Sequence, residues 1–243
     1  MSIKVFAHRG YSGAYPENTM IAFKTAVEEC KCDGIELDVH LTKDDELVII
    51  HDETVNRTTN AKGYVKDFTL EEIKKINANY TFNDLQTIQR IPTLSEYCEY
   101  IKDKNIVTNI ELKTNLIYYK DIEQKVINKL MKYNLLDRVI LSSFNHSSSI
   151  IAKNINEKIS CGLLVDSKGI MNCGYYAKKL KMNSYHPDIK FLTKDVVDEC
   201  KNYEIDVNTW TVNSIKDLNN CIKWGVDGVI TNYPQKIKKV ISE

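Results

Sequence analysis

Hydrophobic positions along this chain follow two alternating rhythms. Short runs rich in β-branched residues, with apolar side chains every second position, predict strands over residues 3–7, 34–41, 107–112, 139–143, 160–165, 184–189, 205–211 and 228–231. Between them, apolar positions spaced three and four apart predict helices near 19–31, 94–104, 120–133, 146–156, 170–181, 194–203 and 215–224, with a last one after Pro234. Thr69 with Glu72, Thr93 with Glu96 and Ser214 with Asp217 have the spacing of a capping box and mark three helix starts. Eight βα pairs with no internal break in composition predict an α/β fold, a closed (β/α)8 TIM barrel. An open doubly wound sheet more often has about five or six strands.

One stretch breaks the rhythm. Between the second strand and the helix starting at Thr93 lie a hairpin arm at 47–50, a turn at Lys62-Gly63 and a short helix at 70–76. The chain is therefore read as a single barrel domain over 1–243 with a small insertion at about 52–92. A segment that long between two elements is either a lid or substrate wall, or a packed decoration.

Periodicity also decides which side chains meet. In the second strand Glu36, Asp38 and His40 project to one face and Ile35, Leu37 and Val39 to the other, and in the third Glu111 and Lys113 oppose Leu112. One face of a barrel strand is interior, where an unpaired carboxylate must be neutralised, paired or bound to metal. Three carboxylates from adjacent strands suit one hard divalent cation, Mg²⁺ or Ca²⁺. The alternative is a buried ion network, but Lys113 and Arg9 do not balance three carboxylates and a bound anion. His8 closes the first strand and His51 follows the arm, so both should sit on the rim beside the carboxylates as an acid and a base. Arg9 and Lys113 are the candidate phosphate ligands. His40 is expected one step deeper in a hydrogen-bonded core role, His146 as a helix cap, and His186 as a possible lining residue of the mouth.

Composition narrows the class of partner. The 243 residues are 43% hydrophobic, enough for a sizeable core, and 33 Lys and Arg balance 33 Asp and Glu. With no net charge there is no field to draw in nucleic acid or an anionic membrane, so a small-molecule substrate is expected, with no stable membrane anchor. The first residues carry no targeting signal, which predicts a cytoplasmic protein. Seven scattered cysteines without a CxxC pair predict reduced structural thiols. Nothing in the sequence sets an oligomeric state.

The ordered set His8-Arg9-Gly10, Glu17-Asn18-Thr19, Glu36-Leu37-Asp38, His51-Asp52 and Glu111-Leu112-Lys113 resembles the glycerophosphodiester phosphodiesterase family. The resemblance continues through Asn56-Arg57-Thr58-Thr59-Asn60, Gly63, Ile91-Pro92-Thr93-Leu94, Ser142-Ser143-Phe144, the run 208–213 and the run 227–234. It implies metal-dependent hydrolysis of glycerophosphodiesters to glycerol 3-phosphate and an alcohol such as choline or ethanolamine. Glu36, Asp38 and Glu111 would hold the cation, His8 and His51 would act as the acid/base pair, here taken as base and acid respectively, and Arg9 and Lys113 would contact phosphate. It further implies that Phe144 and Trp210 wall the pocket. Asn232 stands where the family commonly has Asp, and the segment 183–186 departs from the family pattern at the alcohol side. The rivals are a lysophospholipase D on the same barrel, a glycosidase, for which the histidines, Arg9 and Lys113 have no task, and a barrel that only binds glycerophosphodiesters.

Overall fold

The structure, a computed structural model, describes residues 3–82, 85, 87–166 and 169–242; of the inserted stretch, 83, 84 and 86 lie outside the described residues. Its strands are β1 (Lys4–His8), β2 (Gly34–Leu41), β3 (Leu47–Ile49), β4 (Val107–Leu112), β5 (Val139–Ser143), β6 (Ser160–Val165), β7 (Ser184–Pro187), β8 (Asp206–Thr209) and β9 (Gly228–Thr231). Helices α1 (Met20–Glu28), α3 (Leu94–Ile101), α4 (Ile122–Lys132), α5 (His146–Ile155), α6 (Cys173–Lys179), α7 (Lys194–Asn202), α8 (Ile215–Trp224) and α9 (Pro234–Ser242) separate or follow the parallel strands, and α2 (Leu70–Ile73) lies in the insertion. The parallel pairing runs β1-β9-β8-β7-β6-β5-β4-β2 and closes through β1 with β2, and β3 adds antiparallel to β2 at the outside. This is a TIM barrel of eight parallel strands with an extra arm.

The predicted elements are present with shorter ends, for local reasons. α1 stops before residue 31 because Lys31 takes a left-handed φ of 53°. β7 ends at Pro187, which has no N–H to continue the ladder. Thr69 and Thr93 form full capping boxes with Glu72 and Glu96, and the Ser214 side chain accepts from Asp217 N.

Strand periodicity divides the barrel into two environments. Outward residues such as Val5, Ala7, Ile35, Leu37, Val39, Ile110 and Leu112 are fully buried and pack with helix residues such as Phe23, Leu94, Tyr97 and Val126. Truncating one of these to Ala costs about 2–5 kcal/mol. Inward positions carry the polar groups. The insertion builds a second apolar cluster from Val48, Ile50, Val55, Val65, Ile73, Ile76, Ala78 and Ile91, so it is packed and holds its polar residues in fixed places. All seven cysteines are buried free thiols. Cys173, Glu199 and Cys200 meet between α6 and α7, where the Glu199 carboxylate accepts from Gly174 N at 2.5 Å and Tyr175 N at 3.2 Å, and so serves to cap α6. Among the described residues, no helix is long and apolar enough to cross a membrane.

Candidate active site

Register sets the heights of the inward residues at the C-terminal ends of the strands. His8 of β1 lies beside Glu36 of β2, and Glu36 beside Asn109 of β4. One step higher, Asp38 lies beside Glu111, and Glu111 beside Ser142 of β5. Glu36, Asp38 and Glu111 are all buried, and one oxygen from each lies within 4.8 Å of the others. Past the end of β1 the chain turns sharply, with Arg9 at φ 55° and Gly10 at φ 77°. A Cβ on Gly10 would stand 2.7 Å from the Ala22 carbonyl carbon, so only glycine lets this turn seat against α1. The turn lets Arg9 N donate to Glu36 Oε2 at 2.9 Å and brings the Arg9 Nε to 3.6 Å from Asp38 Oδ2. Asn18, also left-handed at φ 55°, donates to Asp38 Oδ2 at 2.9 Å.

Charge is unevenly satisfied within this group. Lys113 Nζ lies 2.7 Å from Glu111 Oε1, 3.8 Å from Asp38 Oδ1 and 3.3 Å from His51 Nε2. Burial raises the Asp38 carboxyl, but the charges of Lys113, His51 and Arg9 and the bond from Asn18 outweigh it and hold Asp38 below the usual carboxylate range. Glu36 and Glu111 are pushed up, by burial and then by the Asp38 charge, more strongly than Arg9 and Lys113 pull them down. The cluster is thus short of positive charge. Asp38 Oδ1 is moreover buried without a hydrogen-bond partner. Three buried carboxylates of this donor chemistry could hold a hard cation, which would let all three ionise.

The two histidines flank the cluster with different partners behind them. His8 Nδ1 meets Asn232 Oδ1 at 2.6 Å, and its Nε2 is 3.9 Å from Glu36 Oε2. Burial, and next the neighbouring Arg9 charge, push the His8 imidazole down to about 4. His51 Nδ1 meets Asp52 Oδ1 at 2.7 Å. A cavity of about 310 Å³ is lined by polar residues, His8, Arg9, Glu36, His51, Asn109, Glu111 and Asp166, and by apolar ones, Phe144, Leu164, Trp210 and Ile230. Residues 8–236 match the model of the glycerophosphoryl diester phosphodiesterase family.

The chain belongs to that family. It is 45% identical over 241 residues to a glycerophosphodiester phosphodiesterase of Caldanaerobacter subterraneus subsp. tengcongensis, spanning 99% of this chain and 98% of the relative. It is 41% identical over 243 residues to one of Bacillus altitudinis, again over 99% and 98%. Its fold is similar to that of an Oleispira antarctica phosphodiesterase solved in complex with the product sn-glycerol-3-phosphate, with a TM-score of 0.87, 28% identity and 100% and 98% of the two chains covered. Family membership makes the chain an enzyme of the phosphoric diester hydrolase class.

The expected residues do not all reach the cavity. Asp38 and Lys113 do not line it but contact residues that do, Asp38 with Arg9 and Lys113 with Glu111, and Phe144 and Trp210 form an edge-to-face pair on it, 5.6 Å apart at 88°. His186, expected at the mouth, is fully buried: its Nε2 lies 2.7 Å from Ser184 Oγ and 3.2 Å from Asn208 Nδ2. Gly162 makes room for that ring, since a Cβ there would stand 2.7 Å from Nε2. The residue's contact with the pocket wall is indirect, through its carbonyl, which accepts from Trp210 Nε1 at 2.9 Å. His40 lies nearer the rim than Glu36 and Asp38, contrary to the expected deeper position, because β2 runs toward the C-terminal end. It is nonetheless buried, held by Tyr119 OH at 2.9 Å and the His51 carbonyl at 3.1 Å. His146 is the first residue of α5, whose cap is Asn145, and its Nε2 lies 3.0 Å from the Leu164 carbonyl. Sequence reasoning missed Asn109, whose Oδ1 is buried without a partner beside the carboxylates. The signal was present, since Asn109 shares a strand face with Glu111 and Lys113.

Proposed function

We propose that the chain hydrolyses small glycerophosphodiesters to glycerol 3-phosphate and an alcohol by two-histidine acid/base catalysis at a carboxylate-held divalent cation, Mg²⁺ or Ca²⁺. The observation that carries this reading is the placement of His8 and His51 on one cavity together with Arg9, Glu36 and Glu111. The product complex of the Oleispira relative supports it. Glu36, Asp38 and Glu111 would hold the cation, which when bound supplies Lewis-acid polarisation of a phosphate oxygen. Arg9 and Lys113 would add fixed positive charge where negative charge develops on the phosphoryl oxygens.

His8 presents Nε2 to the cavity while Asn232 occupies Nδ1. A neutral imidazole there takes the proton of the nucleophile as the new P–O bond forms: water gives glycerol 3-phosphate directly, whereas the neighbouring glycerol hydroxyl gives a cyclic phosphate that a water then opens in a second displacement. His51, whose Nδ1 is held by Asp52, gives a proton to the alcohol oxygen as the old P–O bond breaks. Phe144 and Trp210 wall the alcohol side. His186 supports Trp210 from behind and has no direct contact in this scheme. Within the same reading the chain acts in the cytoplasm as one barrel domain, and neither nucleic acid nor a membrane is its partner.

The test is coupled detection of glycerol 3-phosphate over a panel of glycerophosphodiesters, with a lysophospholipid in parallel. Each substrate is run with Mg²⁺, with Ca²⁺ and with chelator. Turnover that chelation abolishes, and that His8→Ala and His51→Ala each lower by about 10²–10⁴-fold with the fold intact, is expected. Turnover of the lysolipid alone, or a His variant with normal activity, would refute the scheme.

A further inference from the structure

Arg57 takes no part in the scheme above. It lies in the inserted segment, with its side chain 48% exposed, and it does not line the cavity. Yet it makes four hydrogen bonds to two carboxylates. Its Nε and Nη2 donate to Asp52 Oδ2 and Oδ1 at 2.8 and 2.9 Å, and its Nη1 and Nη2 donate to Glu17 Oε2 and Oε1, both at 2.8 Å.

Each of those carboxylates holds a residue that does line the cavity. Asp52 Oδ1 is also the partner of His51 Nδ1 at 2.7 Å, and Glu17 Oε1 also accepts from Arg9 Nη1 at 2.8 Å. The same oxygen atoms are shared in both cases. Arg57 is therefore the middle of one chain that runs from His51 through Asp52, Arg57 and Glu17 to Arg9.

We propose that Arg57 is a positioning residue that sets His51 and Arg9 in register with each other across the cavity, acting through Asp52 and Glu17. The geometry needs a guanidinium. Its planar fork meets one carboxylate along each of two edges, whereas the single ammonium of lysine cannot hold two carboxylates in fixed orientations. Without it, Asp52 and Glu17 lose the cation that bridges them and face each other as like charges, and each is free to turn its shared oxygen away. His51 would then lose the bond that fixes its ring, and Arg9 would lose the brace on Nη1. Outer partners of this kind are worth about 10–100-fold in activity. The packed cluster under the insertion is what makes the device rigid, since Val55, two residues before Arg57, is fully buried.

The inference rests on the proposed hydrolysis, and the experiment separates the two. Wild-type turnover of glycerophosphodiesters is measured first; its absence overturns the proposed function. Arg57→Ala and Arg57→Lys are then compared with wild type well below their melting temperatures. The expected result is a 10–100-fold loss of kcat together with a raised KM in both variants. Added guanidinium should restore part of the activity of Arg57→Ala and none in Arg57→Lys, whose ammonium fills the space. In an Asp52→Asn background, Arg57→Ala should cost less than it does in wild type, because its path to His51 is already cut and only the path through Glu17 to Arg9 remains. A readout independent of turnover is the imidazole ¹⁵N and hydrogen-bonded proton resonances of His51, which should change in Arg57→Ala. Wild-type kinetics in Arg57→Ala, fully additive losses with Asp52→Asn, or unchanged His51 resonances would overturn the proposal. If Arg57→Ala does not fold, Arg57→Lys and Arg57→Gln carry the same comparison.

Discussion

Replacing Lys113 with methionine tests whether the acidic cluster is built to hold a cation. The side chain is 6% exposed, and its ammonium touches Glu111 Oε1 at 2.7 Å and lies 3.8 Å from Asp38 Oδ1. Removing one partner of a buried ion pair costs about 3–5 kcal/mol. The loss falls at the lower end here, because burial and Asp38 already push Glu111 up, so that it can take a proton once Lys113 is gone. A loss of about 3 kcal/mol lowers the melting temperature of a chain of this size by roughly 6–12 °C. That is the expected result in chelator. With Mg²⁺ or Ca²⁺ the gap should narrow, since three carboxylates without a competing ammonium attract a dication more strongly than the wild-type cluster does. At about 100 times its dissociation constant the cation returns about 2.7 kcal/mol, nearly the whole loss. Thermal unfolding in chelator and across a cation titration measures both effects, and coupled detection of glycerol 3-phosphate should show that stability returns while kcat stays about 10²–10³-fold down. If Lys113→Met melted within about 2 °C of wild type in chelator, or if the cation stabilised both proteins equally, the charge argument would be wrong.

Other outcomes follow from the same geometry. His8, pushed down to about 4 by burial and Arg9, stays neutral and able to accept a proton until the pH falls toward that value; the acidic limb of kcat/KM should therefore lie well below 6.5, and a limb at 6.5 would remove His8 as the base. Burial also pushes His186 down to about 3, so between pH 6.5 and 3 the unfolded chain binds a proton that the folded chain refuses. Stability on this account is full above 6.5 and falls with decreasing pH by about 1.4 kcal/mol per unit, and denaturant unfolding of His186→Gln should show a shallower slope. Trp210→Ala, by removing one half of the aromatic pair on the alcohol side, should raise KM up to about tenfold with a smaller change in kcat; the opposite split would place Trp210 in the chemical step.

What the sequence revealed and what it concealed divide along a physical line. The faces of the strands were legible, because an alternation of period two needs only local residues. Glu36 and Asp38, and likewise Glu111 and Lys113, therefore came out as inward groups. Height along the barrel was legible only from chain direction, and His40, the most C-terminal of its face, was misplaced by reading outward distance as depth. Depth at β7 depended on neighbours in space. His186 is sealed in because Gly162 leaves a hollow beside it and Ser184 and Asn208 supply partners, and no spacing within 184–187 reports a hollow in β6. The contacts that orient the two histidine rings were the least legible, since Asn232 reaches His8 from the end of the neighbouring strand β9 and Arg57 reaches Glu17 from the insertion. Such contacts depend on sheet register and on the packing of a second apolar cluster. A chain can thus display the types of its reacting groups in short local patterns, while the residues that hold those groups to a fraction of an ångström are set by parts of the sequence far from them.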